Sequence, residues 1–293
     1  MVAIFLIIIL LMRVLQSTFS KKVSMNIPAG IKPYIKYIGI SKLLAAGFAL
    51  ITIMMEGGFG NANLEMLIIS ACSGIALAIA SLCGIKALQN GTLALSSMFS
   101  TAGLLVPCVL GIFVFDEPLS VMQMVCIAAL LIGAWLLVDS SKKLYTGFSL
   151  KSGLYLTGSL ITNGIVMFCQ KLFGELQPDG NVALFSMLTF LIPAAVLLCA
   201  IPFVEEKGKE ENKLPKSVIL YSVVLAFAVF IIQQFVTILT TKLSSAVLFT
   251  FVNGGATVVA AIVGAILYKE KITLKSALGV IIGVTAMICI KIF

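Results

Sequence analysis

Gly111-Ile-Phe-Val-Phe-Asp-Glu117-Pro-Leu-Ser120 and Gly264-Ala-Ile-Leu-Tyr-Lys-Glu270-Lys-Ile-Thr273 are two readings of one phrase, 153 residues apart. Each ends a long apolar segment and begins another, with a Glu six residues after a Gly. A chain that repeats itself inside apolar sequence predicts a duplicated membrane bundle, the architecture of transporters.

The repeat extends outward from the phrase. At the same offset Ile85, Leu95 and Val106 fall on Ile238, Leu248 and Val259, and an offset of 149 places Leu11, Phe19 and Lys22 on Leu160, Phe168 and Lys171. Ten apolar stretches have the roughly 20 residues that span a hydrocarbon core. They run over 2–20, 35–55, 64–88, 92–115, 119–138, 152–172, 182–203, 218–240, 244–267 and 273–292. Short links such as Asp116 to Leu119 and Lys242 to Ser244 make consecutive helices antiparallel neighbours. Five helices per half is an odd number, so the second half is inverted relative to the first. The predicted fold is an all-α polytopic membrane protein of ten transmembrane helices, arranged as two inverted five-helix repeats over 1–148 and 149–293.

Composition agrees. The chain is 60% hydrophobic and 11% charged with a mean hydropathy of +1.16, whereas soluble domains carry about a quarter charged residues. The first segment has no basic stretch before it, is interrupted by Arg13 and is followed by Lys21-Lys22, so it reads as a retained helix rather than a signal peptide. With the loop after helix 1 taken as cytoplasmic, that side collects sixteen lysines, among them Lys32, Lys36, Lys42 and Lys86. The other side keeps Lys171, Lys242 and Lys291. This bias puts both termini outside and accounts for the net charge of +8 without nucleic acid. The expected location is a bacterial plasma membrane. The mixed run Glu205 to Lys216 is a solvated loop.

A helix with Pro107 and Gly111, then the Phe-Asp-Glu117-Pro-Leu-Ser turn and a helix with Gly133, is echoed by Gly264, Tyr-Lys-Glu270-Lys-Ile-Thr and Gly279. This pattern resembles the EamA-like branch of the drug/metabolite transporter superfamily. The resemblance implies a ten-helix bundle whose central cavity is lined mainly by helices 1, 3, 4, 6, 8 and 9 and carries small polar or charged organic solutes. Ala260 stands where the first repeat has Pro107, so a kink in the first half need not recur in the second.

Polar residues inside apolar spans mark candidate pathways independently of any family. Arg13, Gln16, Ser17 and Ser20 form one face of helix 1. Arg13 lies about 16 Å along the helix from Val2, near the midplane, where a charge costs about 2.5 to 3.5 kcal/mol on insertion scales. No acid lies deep in any span, so an anionic or carbonyl-bearing cargo is one partner for its planar guanidinium. Helix-end carbonyls, a water-filled cavity or interfacial Glu56, Glu117 or Glu175 are the alternatives. Helix 4 offers Ser96, Ser97, Ser100 and Thr101, and helix 9 offers Thr250, Asn253, Gly254 and Thr257, with Ser97, Ser100 and Thr101 falling on Thr250, Asn253 and Gly254. Helix 6 adds Ser159, Asn163 and Gln170, and helix 8 adds Gln233, Gln234 and Thr237. The substrate-binding set is Arg13, Gln16, Ser17, Ser97, Thr101, Asn163, Gln170, Gln233, Thr250 and Asn253, against a structural reading in which amides and hydroxyls cross-link helices. Adjacent Gln233 and Gln234 cannot both face one cavity. Gly279 and Gly283 make a GxxxG for packing within the bundle or between copies in a homodimer.

Glu117 and Glu270 read as caps for the N-terminus of the helix that follows each, rather than as proton relays. The seven cysteines lie in spans without CxxC spacing, as apolar filler, and histidine is absent. With no Walker loop and no HExxH, neither ATP-driven pumping, a metal site, a cofactor nor an enzyme is expected. The expected function is secondary active or facilitative transport of a small anionic or zwitterionic metabolite by alternating access around a midplane cavity. Proton or sodium coupling is left open. A multidrug-type efflux transporter for apolar or cationic compounds and a non-transporting scaffold or lipid-handling protein are the alternatives.

Overall fold

Side-chain caps place several of the helix starts. Asn63 accepts from the Met66 amide at 3.0 Å at the start of one helix, and Asn181 accepts from the Leu184 amide at 2.8 Å at the start of another. In the computed structural model, residues 1–28, 30–60, 62–90, 99, 101–137, 150–204, 214–268 and 273–292 are described. They form ten α-helices: α1 (Val2–Asn26), α2 (Ile31–Met55), α3 (Leu64–Asn90), α4 (Leu105–Val114), α5 (Val121–Leu137), α6 (Leu150–Leu176), α7 (Val182–Ala200), α8 (Lys216–Leu239), α9 (Ser245–Tyr268) and α10 (Leu274–Ile292). Among the described residues there is no strand, and a 3-10 turn, Ile201–Phe203, extends α7. Six helices, α1, α2, α3, α7, α8 and α9, are long and apolar enough to cross a membrane. Exposed Ile4, Ile7, Leu11 and Val14 on α1, and Leu43, Leu50, Ile51 and Met54 on α2, are stripes suited to lipid.

Two sequence expectations about elements change. Within the span expected over 92–115, Phe99, Thr101 and Ala102 are helical and α4 begins at Leu105; the helix is interrupted at 103–104, where Pro107 has no amide to donate to the Gly103 carbonyl. The backbone there turns tightly instead, with Leu104 N–H on Thr101 O at 3.1 Å and Val106 N–H on Gly103 O at 3.1 Å. Its counterpart α9, with Ala260 at that position, runs unbroken. Secondly, α2 begins at Ile31 rather than near 35, so Lys32 joins Lys36 and Lys42 inside a helix, and Lys42 lies eleven residues past its first. A charge there does not report on loop topology, so the lysine bias falls to fifteen against three once Lys42 is removed from sixteen.

Packing follows a paired scheme. α1 lies on α8 and α9 as α6 lies on α3 and α4; α2 lies on α8 as α7 lies on α3; α2 meets α7, and α5 meets α10. In the last contact a Cβ on Gly133 would lie 2.9 Å from the Gly279 carbonyl and 3.2 Å from the Gly283 nitrogen, so the GxxxG packs inside the bundle. The cysteines are not uniformly buried: Cys108, Cys126 and Cys169 are, whereas Cys72 and Cys199 are exposed.

Candidate functional site

Arg13 occupies the middle of α1, half-buried, on the side away from the lipid-facing stripe. Its Nη1 donates to Gln16 Oε1 at 2.8 Å, one helical turn on, while its Nε is buried without a partner. Among the described residues no carboxylate is within ion-pair range of Arg13. Glu117 and Glu175, two of the alternatives weighed from sequence, are both engaged by Lys171 instead. Ser17 is half-buried beside it, and Ser20 and Ser24, farther along that face, are exposed.

Contacts between helices fix the height of each polar group. Phe5 stacks on Phe235 and Phe19 on Tyr221, with centroids 4.6 and 5.7 Å apart, so α1 and α8 are antiparallel and Arg13 stands level with Phe227. A Cβ on Gly255 would meet Leu10 Cδ2 at 2.6 Å, which puts Thr257 level with Met12. Asn253 Nδ2 donates to Met167 Sδ at 3.4 Å, which puts Asn163 level with Thr257. Thr101 and Thr257 share a hydrogen bond of 3.1 Å. Arg13, Gln16, Thr101, Asn163 and Thr257 therefore gather in one layer near mid-span, with Asn253 just above it. Thr257 was noted on the helix 9 face in the sequence but not placed in the binding set; its link to Thr101 is the signal that adds it.

Several of these groups also satisfy themselves locally. Asn163 Nδ2 donates to Ser159 O at 2.8 Å and Ser159 Oγ at 3.2 Å, and Asn253 Nδ2 to Phe249 O at 3.0 Å. Gln170, Gln233 and Thr250 form a second, buried group about 9 to 12 Å nearer the Met1 end, counting 1.5 Å per residue. There Gln233 Nε2 and Thr250 Oγ1 lack partners. Gln234 turns elsewhere, accepting from Ser186 Oγ at 3.3 Å and lining an open cleft of about 940 Å³ with Thr52, Glu56 and Asp179. Ser96, Ser97, Ser100 and Glu270 lie outside the described residues.

Above the second group, toward the Met1 end, lies a cluster of charge. Lys171, 3% exposed, has Glu117 Oε1 at 2.9 Å, Glu175 Oε1 at 2.6 Å, Thr240 O at 2.7 Å and Leu243 O at 3.1 Å. Four oxygens thus share the three protons of one ammonium. Glu117 Oε2 accepts from the Ser245 amide at 2.9 Å, at the first residue of α9. The carboxylate therefore caps a distant helix, not the next one as its sequence position suggested. Ser120 and Gln123 cap α5 reciprocally, with Gln123 N on Ser120 Oγ at 3.1 Å and Ser120 N on Gln123 Oε1 at 3.2 Å, and Thr273 caps α10 through the Ser276 amide at 3.2 Å. Gly111 makes the reach possible: a Cβ there would lie 2.9 Å from Glu117 Oε2 and 3.2 Å from Ser245 Oγ. The turn between them holds Asp116 at a φ of 50°, in the left-handed region.

Lys42 is the residue that sequence reasoning passed over. Its Nζ sits 5.3 Å from the Phe190 ring centroid, and among the described residues no carboxylate pairs with it. The signal was its distance from both ends of an apolar stretch, hidden by counting it with loop lysines. Among the described residues no cluster of three His, Cys, Asp or Glu is placed to hold a metal.

Residues 151–292 match the model of the EamA-like transporter family. A solved structure described only as the crystal structure of a protein has the same fold, with a TM-score of 0.76 and 14% identity over 97% of this chain and 95% of that one. No curated protein matches.

Proposed function

We propose, from the membership of residues 151–292 in the EamA-like transporter family, that this integral membrane transporter is a secondary carrier of small organic anions or zwitterions. Arg13 carries the proposal. A guanidinium at mid-span, held by one amide and with an orphaned Nε, is short of the partners that offset its burial, and a carboxylate or phosphate fits its donor fork. Gln16, Asn163, Thr101 and Thr257 supply hydroxyl and amide contacts at the same height.

Alternating access of two inverted five-helix halves, 1–148 and 149–293, is the proposed mechanism. The paired packing supports it, since exchanging each helix of one half for its counterpart in the other reproduces the set of contacts described above. Several contacts break the pairing: α9 packs on α10 and α5, whereas α4 forms no such interface with α5 or α10 among the described residues, and α6 crosses to α8 at the Met1 end, where Gly174 meets Thr240, while α1 and α3 form no packed interface among the described residues. This crossing supports a Met1 end tied together where α6 meets α8, beside the cleft that opens there between α2, α6 and α8. By the lysine bias the Met1 end is extracytoplasmic.

A thermal-shift screen of the purified protein against organic acids, amino acids, sugar phosphates and cationic drugs tests the reading. Stabilisation by anions that disappears in Arg13→Gln is expected. Preferential stabilisation by cations would overturn it in favour of multidrug-type efflux. Absence of saturable counterflow in proteoliposomes would overturn transport itself.

A further inference from the structure

We propose that Cys72 and Cys169 are an oxidisable thiol pair, which an organic hydroperoxide dissolved in the bilayer converts to a disulfide tying the amino-terminal half of the chain to the carboxy-terminal half. The inference stands apart from the cargo reading and makes no use of Arg13.

The register of α3 on α6 brings the two sulfurs together. A Cβ on Gly158 of α6 would lie 3.2 Å from Cys83 Sγ of α3, so these two positions face one another. Met66 and Ile69, near the start of α3, cluster with Cys169 and Phe173, near the end of α6, so the helices are antiparallel. Cys72 stands eleven residues before Cys83, and Cys169 eleven residues after Gly158. Eleven residues is about three full turns. The faces that set Cys83 against Gly158 therefore set Cys72 against Cys169, and these two side chains hydrogen-bond to each other. Both thiols are free.

The pair is asymmetric, as a sulfur that is oxidised and a sulfur that resolves it need to be. Ile68, Cys72, Ile75 and Ile79 are exposed at i, i+4, i+7 and i+11, one stripe on the lipid side of α3. Cys72 lies about 12 Å along α3 from Leu64, within the apolar span Leu64–Gly84. Cys169 is 3% exposed and packs inside the bundle. An oxidant carried by lipid thus meets Cys72 first. The Cys72 sulfur attacks one peroxide oxygen, the O–O bond breaks and an alcohol leaves, giving a sulfenic acid. The Cys169 sulfur then attacks the Cys72 sulfur, the S–S bond forms, and the sulfenic hydroxyl leaves with the Cys169 proton as water. Two thiols are oxidised while one hydroperoxide is reduced to alcohol and water. The bond closes a loop that contains α4 and α5, long enough for the lost freedom of the unfolded chain to stabilise the fold.

Wild-type protein in proteoliposomes, treated with cumene hydroperoxide and digested without reductant, is the test, read by peptide mass mapping. A linked pair of peptides carrying Cys72 and Cys169 is expected from most chains, forming faster than with equimolar hydrogen peroxide and disappearing with dithiothreitol. The apparent melting temperature rises by about 5 °C and falls back on reduction. Cys72→Ala and Cys169→Ala abolish the link, Cys83→Ala keeps it, and Cys169→Ala leaves a Cys72 sulfenic acid that dimedone traps. No linked pair in wild type, or the same yield from protein unfolded in dodecyl sulfate, would overturn the proposal whether or not the variants fold. Equal rates with hydrogen peroxide would overturn the lipid-borne route.

Discussion

Glu117 spans two helices because Gly111 has no side chain. One carboxylate oxygen binds Lys171 on α6 and the other the first amide of α9, and the second bond needs the space a Cβ on Gly111 would fill. The sequence marked both residues by their repetition but suggested the wrong partner. Capping the next helix is a local act legible in a short window, whereas Lys171 is 54 residues away and its approach depends on the packing of α4 on α6. Nothing in the spacing of an acid tells which distant cation it will meet. Removing one member of a buried pair leaves the other charge without compensation, at a cost of about 3 to 5 kcal/mol. Glu117→Gln is therefore expected to destabilise the protein by about 3 kcal/mol, the lower end, because Glu175 and two carbonyls still hold Lys171. Apparent melting temperature in detergent reads this. The double variant Glu117→Gln/Lys171→Met is expected to lose less than the sum of the single losses, by about 1 to 3 kcal/mol. Simple additivity would show that the two side chains stabilise the protein independently.

Helix α4 and helix α9 correspond in the sequence at an offset of 153 residues yet differ in continuity, and one residue accounts for the difference. Pro107 stands in the first turn of α4, where its missing amide would have no intrahelical acceptor, and the preceding turn has already departed from α geometry. At Ala260, sixteenth of the 24 residues of α9, a proline would remove an interior hydrogen bond and clash with the carbonyl four residues back. Pro107→Ala is expected to change stability by less than about 1 kcal/mol and Ala260→Pro to cost about 3 kcal/mol. Parallel melting curves of the two variants check the asymmetry, and equal losses would refute it. Helix number and most boundaries were legible because apolar length and caps are local quantities. The interruption in α4 was half legible: Pro107 was visible, but whether it kinks or begins a helix depends on the close approach of α6, where Gly164 meets Val106. Lys42 lay inside the expected span 35–55 yet was counted with the lysines of one membrane side; with the helix beginning at Ile31 it is eleven residues from the start.

The two copies of the Gly-to-Glu phrase make both ends of the bundle look alike in sequence, and a real molecule occupies one state at a time. Which end is shut is therefore not written in either copy. What the structure shows is pairing: at the Met1 end Lys171 is 3% exposed and Thr240 fully buried beneath the crossing of α6 and α8, beside an open cleft, while Ser20 and Ser24 at the other end of α1 are exposed. Lys22 is the repeat mate of Lys171, and in this conformer it lies over the rings of Phe19 and Tyr221 at 4.9 and 5.7 Å. If the Met1 end is held by the Lys171 cluster, weakening that cluster shifts the population toward the opposite state. In a background without native cysteines, Ser20→Cys is expected to react with a membrane-impermeant thiol reagent and Thr240→Cys to be protected. Adding Lys171→Met reverses the order, raising the labelling rate at Thr240→Cys about tenfold or more, which corresponds to about 1.4 kcal/mol of the pair's stabilisation transferred to the equilibrium. Unchanged labelling at both positions in the Lys171→Met background would mean that the cluster stabilises the fold without selecting a state, and the gate would then have to be sought in the apolar contacts between α6 and α8.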